Sequence, residues 1–139
     1  MSSGRPLPVP DESSKPYWAA AARHILTIAR CTDCGIMTVP PDVVCTACGS
    51  TDPRYEFTPV SGNGVVRSWT VVRKSFLPGF DVPFVLVDVE LVEQADLRVV
   101  GRLLGVDAAR LHLGAEVAVA FEDLTDDIAV PAFELVVRT

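Results

Sequence analysis

Four cysteines stand in two matched groups, Cys31-x-x-Cys34-Gly35 and Cys45-x-x-Cys48-Gly49, with ten residues between Cys34 and Cys45. A Cys-x-x-Cys turn lets two thiolates reach one ion, and a tetrahedral zinc site takes four such sulfurs at about 2.3 Å. The glycine after each second cysteine adopts a left-handed backbone at little cost. Two such knuckles across a short loop predict a zinc ribbon. Iron uses the same ligand set in ribbon folds, so the spacing predicts the site more firmly than the element. Paired disulfides are disfavoured by the cytosolic setting expected below, and a redox thiol pair explains one knuckle while leaving the other idle. Four thiolates fill the coordination shell and leave no position for water or substrate, so the expected metal is structural.

Other residues offer little chemistry. The two histidines, His24 and His112, each sit near a predicted helix end, where a cation is favoured. Ser61, Ser68 and Ser75 lack a nucleophile-elbow context. Asp88 and Glu90 share one strand face, with Glu93 beyond them, and read as a solvated edge. Gly62-Asn63-Gly64 is a turn without a phosphate-loop signature, and Asp123, Asp126 and Asp127 form an acidic loop. No catalytic residue is predicted.

The elements that must carry the cysteines follow from composition and pattern. The chain has 139 residues, 49% hydrophobic and 22% charged, enough for one domain with an ordinary core. Residues 1–15, rich in Pro, Ser and acidic side chains, are expected to be a mobile arm without fold. Residues 16–54 are expected to hold a short helix (Pro16–Arg23, opened by proline and rich in alanine), a strand (Ile25–Arg30) and the ribbon. Residues 55–139 carry five strand patterns: Gly64–Phe76, Pro83–Glu93, Leu97–Gly105, Ala115–Glu122 and Phe133–Arg138. In the second, Val85, Val87, Val89 and Leu91 form the core face by alternation. Gly101 is expected to mark a bulge or bend. A short helix, Val106–Leu113, capped by Asp107 and closed by Gly114, separates the third and fourth strands. That order predicts a mainly β chain with a five-stranded OB-fold barrel; a half-open β-sandwich is the alternative.

The formal net charge is −6, and Arg73-Lys74 is the only adjacent basic pair, so nucleic acid is a disfavoured partner, and a nucleic-acid-binding ribbon and OB module is the alternative reading. No apolar run reaches the roughly 20 residues of a membrane span, and the N-terminus lacks a signal-peptide core, which predicts a cytoplasmic protein. Some apolar residues exceed what their positions need: Tyr17 and Trp18 on the first helix, Phe76, Leu77 and Phe80 at a strand connection with Phe84 after it, and Pro40-Pro41 in the ribbon loop. They either bridge ribbon and barrel or form a partner surface or substrate channel.

The run RCTDCG, PP, VCTACGS, SGNGVVRSWTVV, PFVLVDVEL, GRLLG, LGAEVAVAFED, closed by a P-x-F, resembles the acyl-CoA-associated OB-fold proteins with an N-terminal rubredoxin-like zinc ribbon, or domain of unknown function 35. The resemblance spans about Pro16 to Val137. It implies zinc on Cys31, Cys34, Cys45 and Cys48, and a non-catalytic subunit in a hetero-oligomer. The implied partners are thiolase-fold enzymes, including aldolases that cleave steroid side-chain CoA thioesters, or enoyl-CoA hydratases. It transfers no catalytic residue. The sequence Pro40-Pro41-Asp42 lacks the basic residue that relatives often place after the prolines, which weakens any CoA-phosphate role for this loop.

Overall fold

A computed structural model describes residues 4–105 and 108–137. It is mainly β, with one short helix, a ribbon sheet and a five-stranded barrel, as the strand patterns predict.

Helix α1 (Lys15–Ala22) starts with Pro16 in its first turn and buries Ala20 and Ala21. Strand β1 (Thr27–Cys31) pairs antiparallel with the two-residue β2 (Met37–Thr38) and with β3 (Tyr55–Pro59). The register Thr27↔Pro59 to Cys31↔Tyr55 makes β3 part of the ribbon's sheet, so that sheet crosses the division expected between residues 54 and 55.

The barrel runs β4 (Asn63–Val72), β5 (Phe84–Leu91), β6 (Arg98–Leu104), β7 (Glu116–Asp123) and β8 (Ala129–Leu135), in the spatial order β4-β5-β6-β8-β7. Only β6 and β8 are parallel. Val87, Val89 and Leu91 are buried and Val85 packs against the same cluster, so alternation along β5 identifies its core face. Phe133 of β8, fully buried, fills the middle with Val66, Val99 and Val117.

Several expectations change. The bulge lies on β4 between Val66 and Ser68, and Gly101 sits in regular register opposite Val87. A Cβ on Gly101 would stand 3.0 Å from two ring carbons of Phe133, so the glycine admits that ring and does not bend the strand. β4 ends at Val72, four residues before the expected Phe76, and β8 begins at Ala129, ahead of the expected Phe133. In place of the expected helix, the described residues hold a single 3-10 turn, Ala108–Arg110; Val106 and Asp107 lie outside them. Residues 4–14, expected as an arm without fold, touch the barrel: Arg5 is 3.4 Å from Glu122 and lies over the Phe80 ring at 5.1 Å. Among the described residues no helix is long and apolar enough to cross a membrane.

Candidate metal centre and apolar surfaces

The two knuckles are built alike. Cys31 ends β1, and the Gly35 amide donates to the Cys31 carbonyl at 2.7 Å while the Cys31 amide donates to the Ile36 carbonyl at 2.9 Å. Gly49 donates to Cys45 at 2.7 Å, and Cys45 donates to Ser50 at 3.0 Å. Gly35 (φ 80°) and Gly49 (φ 78°) occupy the left-handed region that closes each turn. Ser50 Oγ donates to Asp33 at 2.6 Å, tying one knuckle to the other, and Tyr55 OH donates to the Asp42 carbonyl at 2.8 Å to hold the intervening loop.

All four sulfurs lie within 4.8 Å of one another, with Cys31–Cys48 at 4.0 Å and Cys34–Cys45 at 3.7 Å. Thiolates about 2.3 Å from a tetrahedral ion stand roughly 3.8 Å apart, so the cluster fits a metal ion. The acid–base balance agrees. The backbone amides of Cys48 and Ala47 donate to Cys45 and lower its pKa to about 7. At Cys48 the Ser50 amide works downward, but desolvation and three neighbouring sulfurs outweigh it and push the thiol up to about 12. At Cys34 the Ile36 amide lowers, yet burial and the Cys45 and Cys31 sulfurs leave the pKa raised. Four sulfurs this close do not all ionise unless a cation compensates them.

The six apolar candidates divide into two places. Tyr17 and Trp18 meet edge to face at 5.0 Å and line an apolar cleft of about 310 Å³ together with Ile28, Pro40, Pro41 and Phe57. Tyr17 also packs against the core, and its burial raises its pKa. At the β4–β5 connection Phe76 is 90% exposed and Leu77 56%, whereas Phe80 stacks on Phe84 at 5.5 Å beneath Arg5.

The β5 carboxylates are engaged. Asp88 accepts from Arg98 at 2.6 Å, and Glu90 accepts from Arg67 at 2.9 Å and from the Asp96 amide at 2.6 Å. Glu93 accepts from the Ser61 amide at 2.7 Å. The Asp96 amide and Arg67 hold Glu90 below the usual carboxylate range. Glu122 pairs with Arg102 and with Arg5. His24 is more than the helix-end cation the pattern predicts. Its Nε2 lies 2.7 Å from Asp123 Oδ1, and its ring stacks on Phe121 at 5.0 Å, joining the end of α1 to β7. Nothing local signals this contact, since its partners lie across the fold. His112 Nδ1 approaches the Arg110 carbonyl at 2.9 Å.

Comparison with known proteins gives one family in two parts. Residues 18–54 match the ChsH2 rubredoxin-like zinc ribbon domain, and residues 57–122 match the ChsH2 C-terminal OB-fold domain. A probable enoyl-CoA hydratase alpha subunit from Thermomonospora curvata is 30% identical over 129 residues, 93% of this chain and 39% of that protein. The 3-oxo-4,17-pregnadiene-20-carboxyl-CoA hydratase alpha subunit of Mycobacterium tuberculosis is 34% identical over 110 residues, 79% of this chain and 34% of its own length. The chain thus spans well under half of either hydratase subunit. A DUF35 domain-containing scaffold protein of Methanothermobacter thermautotrophicus is 28% identical, with 76% of this chain and 77% of that protein covered. Among solved structures, a chain of the Ltp2-ChsH2(DUF35) aldolase superposes with a TM-score of 0.78 at 28% identity, covering 92% of this chain and 98% of that one.

Proposed function

Since the chain belongs to the family that joins a ChsH2-type zinc ribbon to a ChsH2-type OB-fold, we propose that it is a non-catalytic accessory subunit of an enzyme acting on acyl-CoA thioesters. The partner is a thiolase-fold enzyme, a thiolase or retro-aldolase, with an enoyl-CoA hydratase as a further member of the assembly, and the substrate class includes steroid side-chain thioesters. The observation that carries this reading is the superposition on a chain of an aldolase complex over almost the whole of both chains. Two further features support it. The carboxylates nearest to a general acid–base pair, Asp88 and Glu90, are each held by arginine. The sulfur spacing suits zinc on Cys31, Cys34, Cys45 and Cys48, where a closed thiolate shell supplies folding energy and no open coordination position.

The test is affinity capture of the tagged chain from its native cells, with bound chains identified by mass spectrometry, beside turnover assays of the purified chain alone. Recovery of a thiolase-fold or hydratase-fold enzyme, and no turnover without it, is the expected result. Turnover of an acyl-CoA by the isolated chain, or recovery of no enzyme of either fold, overturns the proposal.

A further inference from the structure

Strand β4 is paired on both sides only at its start. Asn63–Val65 face β7, and Val66 exchanges backbone bonds with Ala115 and Gly114 at 2.9 and 2.7 Å. From Arg67 to Val72, among the described residues, only β5 pairs with it and no strand pairs with the other edge. A row of unpaired N–H and C=O groups is a template for an added strand.

The side chains along this edge need a cover. Trp69 opposes Val87 and Val71 opposes Val85, and directly opposed residues share a face. Trp69 and Val71 therefore continue the inner, core-side surface beyond the closed part of the barrel, where each is 40% exposed. The chain next enters Arg73-Lys74, the one adjacent basic pair in a protein of net charge −6, and then Phe76 and Leu77, 90% and 56% exposed. The base of this loop is fixed from within. A Cβ on Gly79 would lie 2.5 Å from the Gly4–Arg5 backbone, the Arg5 guanidinium covers Phe80 at 5.1 Å, and Phe80 stacks on Phe84. Phe80 and Phe84 are thus internal supports, and Phe76 and Leu77 are presented outward.

We propose that Arg67–Leu77 is one docking strip, and that it receives an extended segment of the catalytic subunit by strand addition to β4. The incoming strand places alternate apolar side chains over Trp69 and Val71 and carboxylates beside Arg73 and Lys74. A second copy of this chain is a poor occupant, because it sets the same basic pair against its own kind. The valines exposed in the ribbon, Val39, Val43 and Val44, have no basic pair beside them. This inference rests on the accessory-subunit reading and names the surface that reading requires.

The experiment is hydrogen exchange, read by mass spectrometry, on the chain alone and in the complex captured from native cells. It is combined with binding of the Arg73→Glu/Lys74→Glu and Phe76→Ser/Leu77→Ser double variants to the purified catalytic subunit. The variants alter exposed positions, so unchanged thermal midpoints certify their folds. Expected are slowed exchange across residues 67–77 in the complex and affinity at least about tenfold weaker for each double variant, with the charge reversal also flattening the salt dependence. Slowed exchange confined to the ribbon or α1, or binding within about twofold of wild type for both variants, overturns the docking strip and leaves the accessory role intact. Failure of the wild-type chain to yield any such complex overturns both.

Discussion

Removing the metal is expected to loosen the barrel as well as the ribbon, because the two share a core. Leu26 and Ile28, just before and within β1, are each 2% exposed and belong to the same buried cluster as Val89, Leu91 and Val99 of the barrel. Full burial of a leucine or isoleucine is worth about 1.5–3 kcal/mol, so the pair places about 3–6 kcal/mol of barrel burial under the ribbon's control. The β1–β3 ladder and the Gln94 side chain, which binds Met37 N–H and C=O at 2.9 and 2.8 Å, do not depend on the metal and retain part of that. A loss of about 2–3 kcal/mol remains, against a domain total of about 5–15, and corresponds to a fall in Tm of roughly 5–10 °C at this chain length. The chain's two tryptophans separate the halves: Trp18 lies in α1 and Trp69 in β4. In Trp69→Phe, fluorescence reports the helix and ribbon; in Trp18→Phe, it reports the barrel. After complete chelation, verified by metal analysis, the Trp18 signal should change without denaturant, and the Trp69 midpoint should drop by the amount above. An unmoved Trp69 midpoint refutes the shared-core reasoning.

Two further predictions concern the barrel alone. Gly101→Ala presses a methyl group to 3.0 Å from the ring of Phe133, which is fully enclosed and cannot yield. Overpacking of about 1–3 kcal/mol outweighs the roughly 0.4–1 kcal/mol gained from a stiffer unfolded chain, so a net loss of about 1–2 kcal/mol is expected in urea titrations. The loss should shrink in a Phe133→Leu background, and equal losses in both backgrounds remove the ring from the explanation. Glu122 is desolvated, which raises its pKa, but Arg102 and Arg5 outweigh that and hold it below the ordinary value of about 4.5. A depressed folded pKa adds stability above the unfolded value and loses it as pH falls through the folded one. Urea midpoints should therefore hold from pH 7 to about 5.5 and decline below about 4.5, less steeply in Arg102→Gln; an identical acid slope in that variant counts against the pairing.

Legibility tracks the range over which each feature is encoded. The knuckles are readable because ligand, turn and glycine all fall within a few residues, and the core face of β5 is readable because alternation is a two-residue signal. What escapes is set by distant partners. β2 is two residues long and exists only through its pairing with β1. The start of β8 contains Pro131 and no β-branched run, yet it pairs along β7 from Ala129 onward. Gly101 looks like a bend until the Phe133 ring is placed against it. Which phenylalanines of the β4–β5 loop are supports depends on Arg5 and Gly4, far away along the sequence. The His24–Asp123 contact, 99 residues apart, has no local sign at all.

These distant partners also set where the ribbon and the proposed docking strip stand on the barrel. The ribbon meets the barrel where β5 ends: Leu91 and Leu97 share its cluster, and Gln94 in the following turn grips β2. The proposed docking strip leads into the other end of β5, at Phe84. An eight-residue strand is about 27 Å long, and it separates the ribbon's contacts at Leu91 from the outer end of the strip, while Arg67 at the strip's inner end bonds Glu90. The ordered strand between them is what couples the two ends. On its inner face Val87 and Val89 are fully buried, and on its outer face Glu90 and Asp88 are paired with Arg67 and Arg98, so the strand is fixed on both faces.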